Sequence, residues 1–251
     1  MPSPLPFEIH HRPVVTSTMD VAAAEAAQGA AEGWTLVADE QTAGRGRRGR
    51  EWTSPAGAGV YLSVVLRPPV AAGDDRLLSL LTLAVGVGVR DGLQVATGLA
   101  PDVKWPNDVF VGRRKLAGIL AEGLALGTPA QCVVVGVGIN LRTAAYPPDV
   151  AAVATSLEAE LGRVCDRDLV IDEVLAGVGR AYGDLKDGRA GDILRRWREA
   201  SPWAVGTRVE WESPSGPQTG ETAGIDETGA LLVRTTDGIA RVIAGEVRWK
   251  I

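Results

Sequence analysis

Four arginines fall within Arg45–Arg50 of the stretch EQTAGRGRRGREW, with Gly44, Gly46 and Gly49 threaded among them. Guanidinium groups grip phosphate oxygens through paired N–H donors, and glycines let backbone amides close around an anion. The combination suits a loop that closes on a phosphate. The alternative is a solvated RGG-like tract that binds RNA without selectivity. Lysine usage points to a second locus. Of 26 Lys and Arg only four are Lys: Lys104, Lys115, Lys186 and Lys250. In so Arg-biased a chain, a retained ammonium suggests that a compact point charge is wanted. Lys104 opens KWPND and Lys115 lies eleven residues on, in RRKLAGILAE. Lys115, at the head of a strand, aims into a cleft or guards a sheet edge. Asp108 offers a hard oxygen ligand for Mg²⁺, or simply completes a Pro-Asn-Asp turn. In TSTMD, Ser17 and Asp20 have capping-box spacing, while Ser17 and Thr18 offer hydroxyls to a small polar ligand. Gly136, Gly138 and Asn140 end the run VVVGVGIN, where glycines imply close approach of a ligand or another backbone. The two histidines, His10 and His11, sit near the N-terminus, and no Ser/His/Asp arrangement is visible, so histidine-dependent catalysis is not expected.

These groups need elements to hold them. VVTSTMD predicts a strand entering an Ala-rich helix over 18–31, and WTLVADEQ a strand that delivers polar groups at its end. GVYLSVVLRP predicts a strand, and Leu77, Leu78, Leu81, Val85, Val89 and Leu93 mark a helix within 74–97. KLAGILAEGL and AQCVVVGVGIN predict two central strands joined by a Gly-Thr-Pro turn, with helices over 168–186 and 191–200. After Pro202 the texture changes to short β-rich runs split by SPSG, DETG and TDG turns, which predicts a small β-barrel. The 251 residues allow one substantial core plus a small module. Apolar runs are shorter than a membrane span requires, and no secretory leader is visible. Cys132 and Cys165 lack metal or redox spacing, so buried thiols in a reducing cytoplasm are expected.

TSTMD, EQTAGRGRRGREWTSP, GVYLSVVLRP, KWPNDVFVGRRKLAGILAE and VVVGVGIN together resemble, in order and spacing, the biotin–protein ligases (biotin–[acetyl-CoA-carboxylase] ligases). The resemblance spans nearly the whole chain. It implies an α+β fold: a mixed, mainly antiparallel sheet with flanking helices, class II synthetase-like, over 1–202, and an SH3-like β-barrel over 203–251. It implies a two-step reaction in which biotin and ATP give biotinyl-5′-AMP and pyrophosphate, and biotin then passes to a lysine of a biotin carboxyl carrier domain of an acyl-CoA carboxylase. Carried onto this sequence, Lys115, Arg45 and Arg47 are the catalytic residues. Biotin falls to Ser17, Thr18, Gln41, Gly44, Arg45, Lys115, Gly118 and Leu120. ATP falls to Arg47, Trp52 (stacked on adenine), Asn107, Lys115 and Asn140, and Mg²⁺ to Asp108. Some members of the family begin with a winged helix-turn-helix that binds an operator. The motifs here start near residue 15, so the resemblance implies a ligase without the repressor function, with no DNA or membrane partner, as a monomer or homodimer. Lipoate attachment is the neighbouring enzymatic reading, though lipoate ligases lack this motif set. Nucleic-acid binding through the Arg loop is the reading from another class, and the net charge of −5 weighs against it.

Overall fold

Gly59–Leu66 is buried at every position, which requires a strand covered on both faces. It is the third of seven in one sheet: β1 (Glu8–Val15), β2 (Trp34–Gln41), β3 (Gly59–Leu66), β4 (Asp102–Lys104), β5 (Asp108–Val111), β6 (Arg114–Leu124) and β7 (Cys132–Asn140). The computed structural model describes residues 5–68, 76–143, 148–213, 216–243, 245 and 247–250. Strand order is β1-β2-β3-β7-β6-β5-β4. Only β1 and β2 run parallel, so the sheet is mixed and mainly antiparallel, as expected. The helices are α1 (Thr18–Ala27), α2 (Arg76–Thr97), α3 (Pro148–Ala151), α4 (Leu157–Leu161), α5 (Arg167–Lys186) and α6 (Ala190–Glu199). The first two residues of the helix expected over 74–97 lie outside the described residues.

One face of the sheet carries Val60, Leu62, Val64, Val133, Val135, Val137 and Ile139 and is closed by α2 and α5. By length and composition alone helix α2 is long and apolar enough to cross a membrane, although its uninterrupted apolar runs are short. Leu81, Val85, Val89 and Leu93 are fully buried, so here it is the core helix. It meets α5 at Gly88, Gly92 and Gly177: a Cβ on Gly177 would stand 2.1 Å from the Gly88 carbonyl oxygen. Gly177→Ala is therefore expected to force the helices apart and cost about 1–3 kcal/mol, read as a lower urea midpoint at unchanged slope.

The opposite face is covered only in part. Helix α1 lays Met19, Ala22 and Ala26 over Leu36, Val65 and Val134. Met19 also covers Gly136, and beyond α1 the face carries Gly118 and Gly138, where a cleft opens.

The C-terminal segment forms β8 (Val205–Ser213), β9 (Gly216–Ile225), β10 (Leu231–Thr235), β11 (Gly238–Val242) and β12 (Val247–Trp249), all antiparallel, in the order β11-β10-β9-β8-β12. Part of the SPSG turn lies outside the described residues. This SH3-like module shares a core with the larger sheet. Leu83, Val87, Val103, Trp105 and Trp197 pack with Val209, Trp211, Ile225, Leu231 and Val233. The Trp105 indole N–H donates to the Gly229 carbonyl at 3.0 Å. That shared core fixes the small sheet against KWPND.

Candidate active site

Strand parity alone would put Lys115 and Gly118, three residues apart, on opposite faces of β6. A register shift intervenes: Val109 pairs with Ala117, but Phe110 pairs with Lys115. The extra residue sends Leu116 into the core and leaves Lys115 on the cleft face. Its ammonium there meets the Asp108 carboxylate at 2.6 Å and lies 5.2 Å from the Trp52 ring centroid. The backbone of Lys115 is clamped as well. Its N–H donates to the Val153 carbonyl at 2.8 Å, and its carbonyl accepts from the Thr155 N–H at 2.9 Å. Because β6 lies between β5 and β7, Lys115 does not guard a sheet edge.

Register carries one line of residues across the cleft face: Lys104 opposite Asp108, Asp108 opposite Gly118, Gly118 opposite Gly138. The two glycines make a floor on which Trp52 lies. A Cβ on Gly138 would come within 2.5 Å of the Trp52 indole nitrogen, and one on Gly118 within 3.1 Å of its ring. The cavity above has a volume of ≈ 320 Å³. Arg45, Arg47, Arg48, Arg50, Lys104 and Lys115 line it against two acids, Glu51 and Asp108. Six cations against two carboxylates leave an excess of four positive charges in a chain of net −5. A cavity so charged favours an anionic ligand.

The Arg loop is a compact excursion from the sheet. At its base Gln41 bridges Ser54 and the Trp52 N–H donates to the Gly44 carbonyl at 2.9 Å; nearer its tip the Gly46 N–H donates to the Arg50 carbonyl at 2.8 Å. Such internal bonding argues against a solvated RGG tract. Arg45 is held by Asp20 at 2.8 Å and Glu122 at 2.5 Å. Arg47 crosses the cavity and donates to the Asn107 side-chain oxygen at 3.3 Å. Burial lowers its pKa, while Asp108 raises it and Arg48 lowers it further. Asn107 is itself locked to β6, donating through its amide to the Ile119 carbonyl at 2.7 Å.

At the other end of the cleft, the Gln41 side-chain oxygen accepts from the Thr18 backbone N–H at 2.8 Å and hydroxyl at 3.0 Å. Ser63 donates to the same hydroxyl at 2.8 Å. Gln41 thus caps α1 from a neighbouring strand, and this corrects the capping-box expectation: Ser17 is the N-cap residue, but its side chain makes no capping bond. Thr18, Gln41, Arg45, Arg47, Trp52, Asn107, Asp108, Lys115, Gly118 and Leu120 all line the cavity. Ser17 is fully buried behind that wall. Gly44 sits at the base of the loop, where a Cβ would stand 2.2 Å from the Trp52 carbonyl oxygen. Asn140 is buried, and its amide donates to the carbonyls of Thr155 at 2.9 Å and Lys115 at 3.4 Å. It braces the backbone that carries Lys115. Sequence reasoning missed Ser63, whose one signal is a small hydroxyl residue in an otherwise apolar stretch of strand. It also missed the partners of Arg45, Asp20 and Glu122, which are 25 and 77 residues away from it.

Among the described residues no group of three or more His, Cys, Asp or Glu is placed to hold a metal ion. The Asp108 carboxylate, beside Lys115 in a cationic cavity, fits a Mg²⁺ that takes most of its ligands from phosphates and water.

Residues 12–140 match the biotin/lipoate A/B protein ligase family, and residues 205–248 match the biotin protein ligase C-terminal domain. The chain belongs to the biotin/lipoate protein ligase family. A bifunctional ligase/repressor of Bacillus spizizenii is 34% identical over 239 residues, covering 94% of this chain and 72% of the relative. A biotin–[acetyl-CoA-carboxylase] ligase of Paracoccus denitrificans is 34% identical over 242 residues, covering 92% of this chain and 97% of that one. The biotin protein ligase of Aquifex aeolicus, solved in complex with biotin and ATP, superposes with a TM-score of 0.83 at 29% identity, covering 96% and 98% of the two chains. In this family member the sheet and loop residues of the cavity fall within 12–140, and Gly245 and Val247 of its far wall fall within 205–248.

Proposed function

We propose that the protein activates biotin with ATP and transfers it to a lysine of a biotin carboxyl carrier domain. The observation that carries this reading is a single cavity, in a chain of this family, that joins the Thr18–Gln41 polar end, the glycine floor, the Lys115–Asp108 pair and the Arg loop. Each part has work to do. The Thr18 hydroxyl and Gln41 amide offer donors and acceptors to a ureido ring, and Leu120 offers an apolar wall. Lys115 draws the biotin carboxylate toward the α-phosphate of ATP. A carboxylate oxygen then bonds to the α-phosphorus as the bond to the pyrophosphate oxygen breaks, giving biotinyl-5′-AMP and pyrophosphate. The protein's task is to position the reactants and stabilise the charge on the phosphoryl oxygens. Asp108 would hold a Mg²⁺, whose chemistry is to neutralise phosphate charge. In the second step a neutral lysine amine of the carrier attacks the acyl carbon, the carbon–oxygen bond to AMP breaks, and the amine gives up a proton. Arg45, Arg47 and Gly44 belong to the lid that closes over the adenylate, and Trp52 is the ring available to stack on adenine.

The direct test is exchange of labelled pyrophosphate into ATP. Exchange that requires both biotin and Mg²⁺ is expected, together with retention of biotinyl-AMP on the purified protein. Exchange with lipoate but none with biotin would move the acyl pocket to the lipoate side of the family, and no exchange with either would sink the reading.

A further inference from the structure

Lys104 stands apart from the other lysines. Lys115 pairs with Asp108, Lys186 with Glu32 and Lys250 with Glu210, whereas Lys104 has no carboxylate within ion-pair distance among the described residues. Its ammonium lies instead 4.3 Å from the Phe110 ring centroid and 5.5 Å from that of Trp249, on β12 of the small sheet. Aromatic faces hold a cation without neutralising it. Burial pushes the pKa of Lys104 down to about 8; Asp108 opposes that shift and Lys115 adds to it. A half-buried cation in a ligand cavity, cradled but unpaired, is supplied for an anion that arrives with the ligand.

Its place in the sheet says which anion. Lys104 and Gly118 are both register partners of Asp108, on opposite sides of it. Two strand spacings separate them, about 10 Å. The Lys115 ammonium lies 3.3 Å from where a Cβ on Gly118 would stand, so the reacting α-phosphate belongs there. Lys104 is then further out along the same face, at the distance a triphosphate tail reaches. We infer that Lys104 binds the β- and γ-phosphates of ATP and the pyrophosphate that departs, with Phe110 and Trp249 fixing its side chain. This rests on the adenylation reading above, and it gives the small sheet, through Trp249, a part in orienting the leaving group.

The test compares Lys104→Met and Lys104→Arg with the wild type, measuring pyrophosphate binding by calorimetry and KM for ATP and for biotin in the exchange assay. Loss of one charged contact predicts that Lys104→Met raises the pyrophosphate Kd and the ATP KM about ten- to a hundredfold and leaves the biotin KM little changed. Lys104→Arg, which keeps the charge, should restore most of both. Unchanged pyrophosphate binding in Lys104→Met overturns the inference, as does a defect confined to the carrier step or a loss of biotin and ATP binding together that Lys104→Arg does not repair. Absence of biotin-dependent exchange in the wild type would instead overturn the adenylation reading itself.

Discussion

Lys115→Ala is expected to slow formation of biotinyl-AMP by about two to three orders of magnitude, the usual cost of removing one preorganised charge from a developing oxyanion. In a folded protein the loss has two physical sources. The ammonium no longer bridges the biotin carboxylate and the α-phosphate, two anions that otherwise repel. The Asp108 carboxylate, 2.6 Å from that ammonium, also loses its counter-charge and adds a negative charge beside the incoming nucleotide. Lys115→Arg should recover little, because a planar guanidinium cannot occupy the position of a compact ammonium packed against Gly118 and the Trp52 ring. Folding should survive both changes, since the clamps on Lys115 from Val153, Thr155 and Asn140 are made to its backbone. Single-turnover formation of the adenylate, measured beside the thermal midpoint, separates these effects. A rate within about threefold of wild type in Lys115→Ala would be far too small an effect for a charge at the reacting phosphate.

The same clamps show where the sequence was informative and where it was not. The buried strands β3 and β7 and the stripe of α2 are local periodic signals, so their places follow from the residues themselves. The Gly/Arg loop, KWPND and KLAGIL were visible as chemistry because Gly, Arg, Pro and Lys are unusual at those spacings. The orientation of Lys115 was not legible, because it depends on a one-residue register shift between two strands, which is a property of the pair. The same holds for Gln41 as the cap of α1, and for Asp20 and Glu122 as the anchors of Arg45. Each joins residues far apart in the chain, and neither residue alone carries a sign of the other. The resemblance assigns Asn140 to the nucleotide; what its place at the end of a glycine-rich strand did not show is that its buried amide also braces the Lys115 and Thr155 carbonyls. Helix α4 was missed for a different reason. Ser156 caps it, but five residues are too few to show a helical period.

Arg47→Gly is expected to leave adenylation measurable while letting the intermediate escape. Arg47 is the loop residue that spans the cavity to Asn107, and Asn107 is fixed to β6 through Ile119. The side chain therefore ties the tip of the loop to the sheet. Glycine removes that tie and gives the loop more conformations to explore, so its closed state becomes less populated. A charge-assisted contact to phosphate is lost as well, which predicts release of biotinyl-AMP faster by about ten- to a hundredfold. A mixed anhydride free in solution reacts with water or with any neutral amine it meets, whereas the closed lid presents it only to a lysine that reaches the cleft. The variant should thus label lysines of an unrelated protein such as serum albumin, while the wild type labels only a carrier domain. Streptavidin blots of both mixtures, alongside the release rate of radiolabelled adenylate, make the measurement. Retained selectivity together with fast release would mean that discrimination resides in docking of the carrier. Slow release would mean that Arg45, held by Asp20 and Glu122, is enough to keep the lid shut.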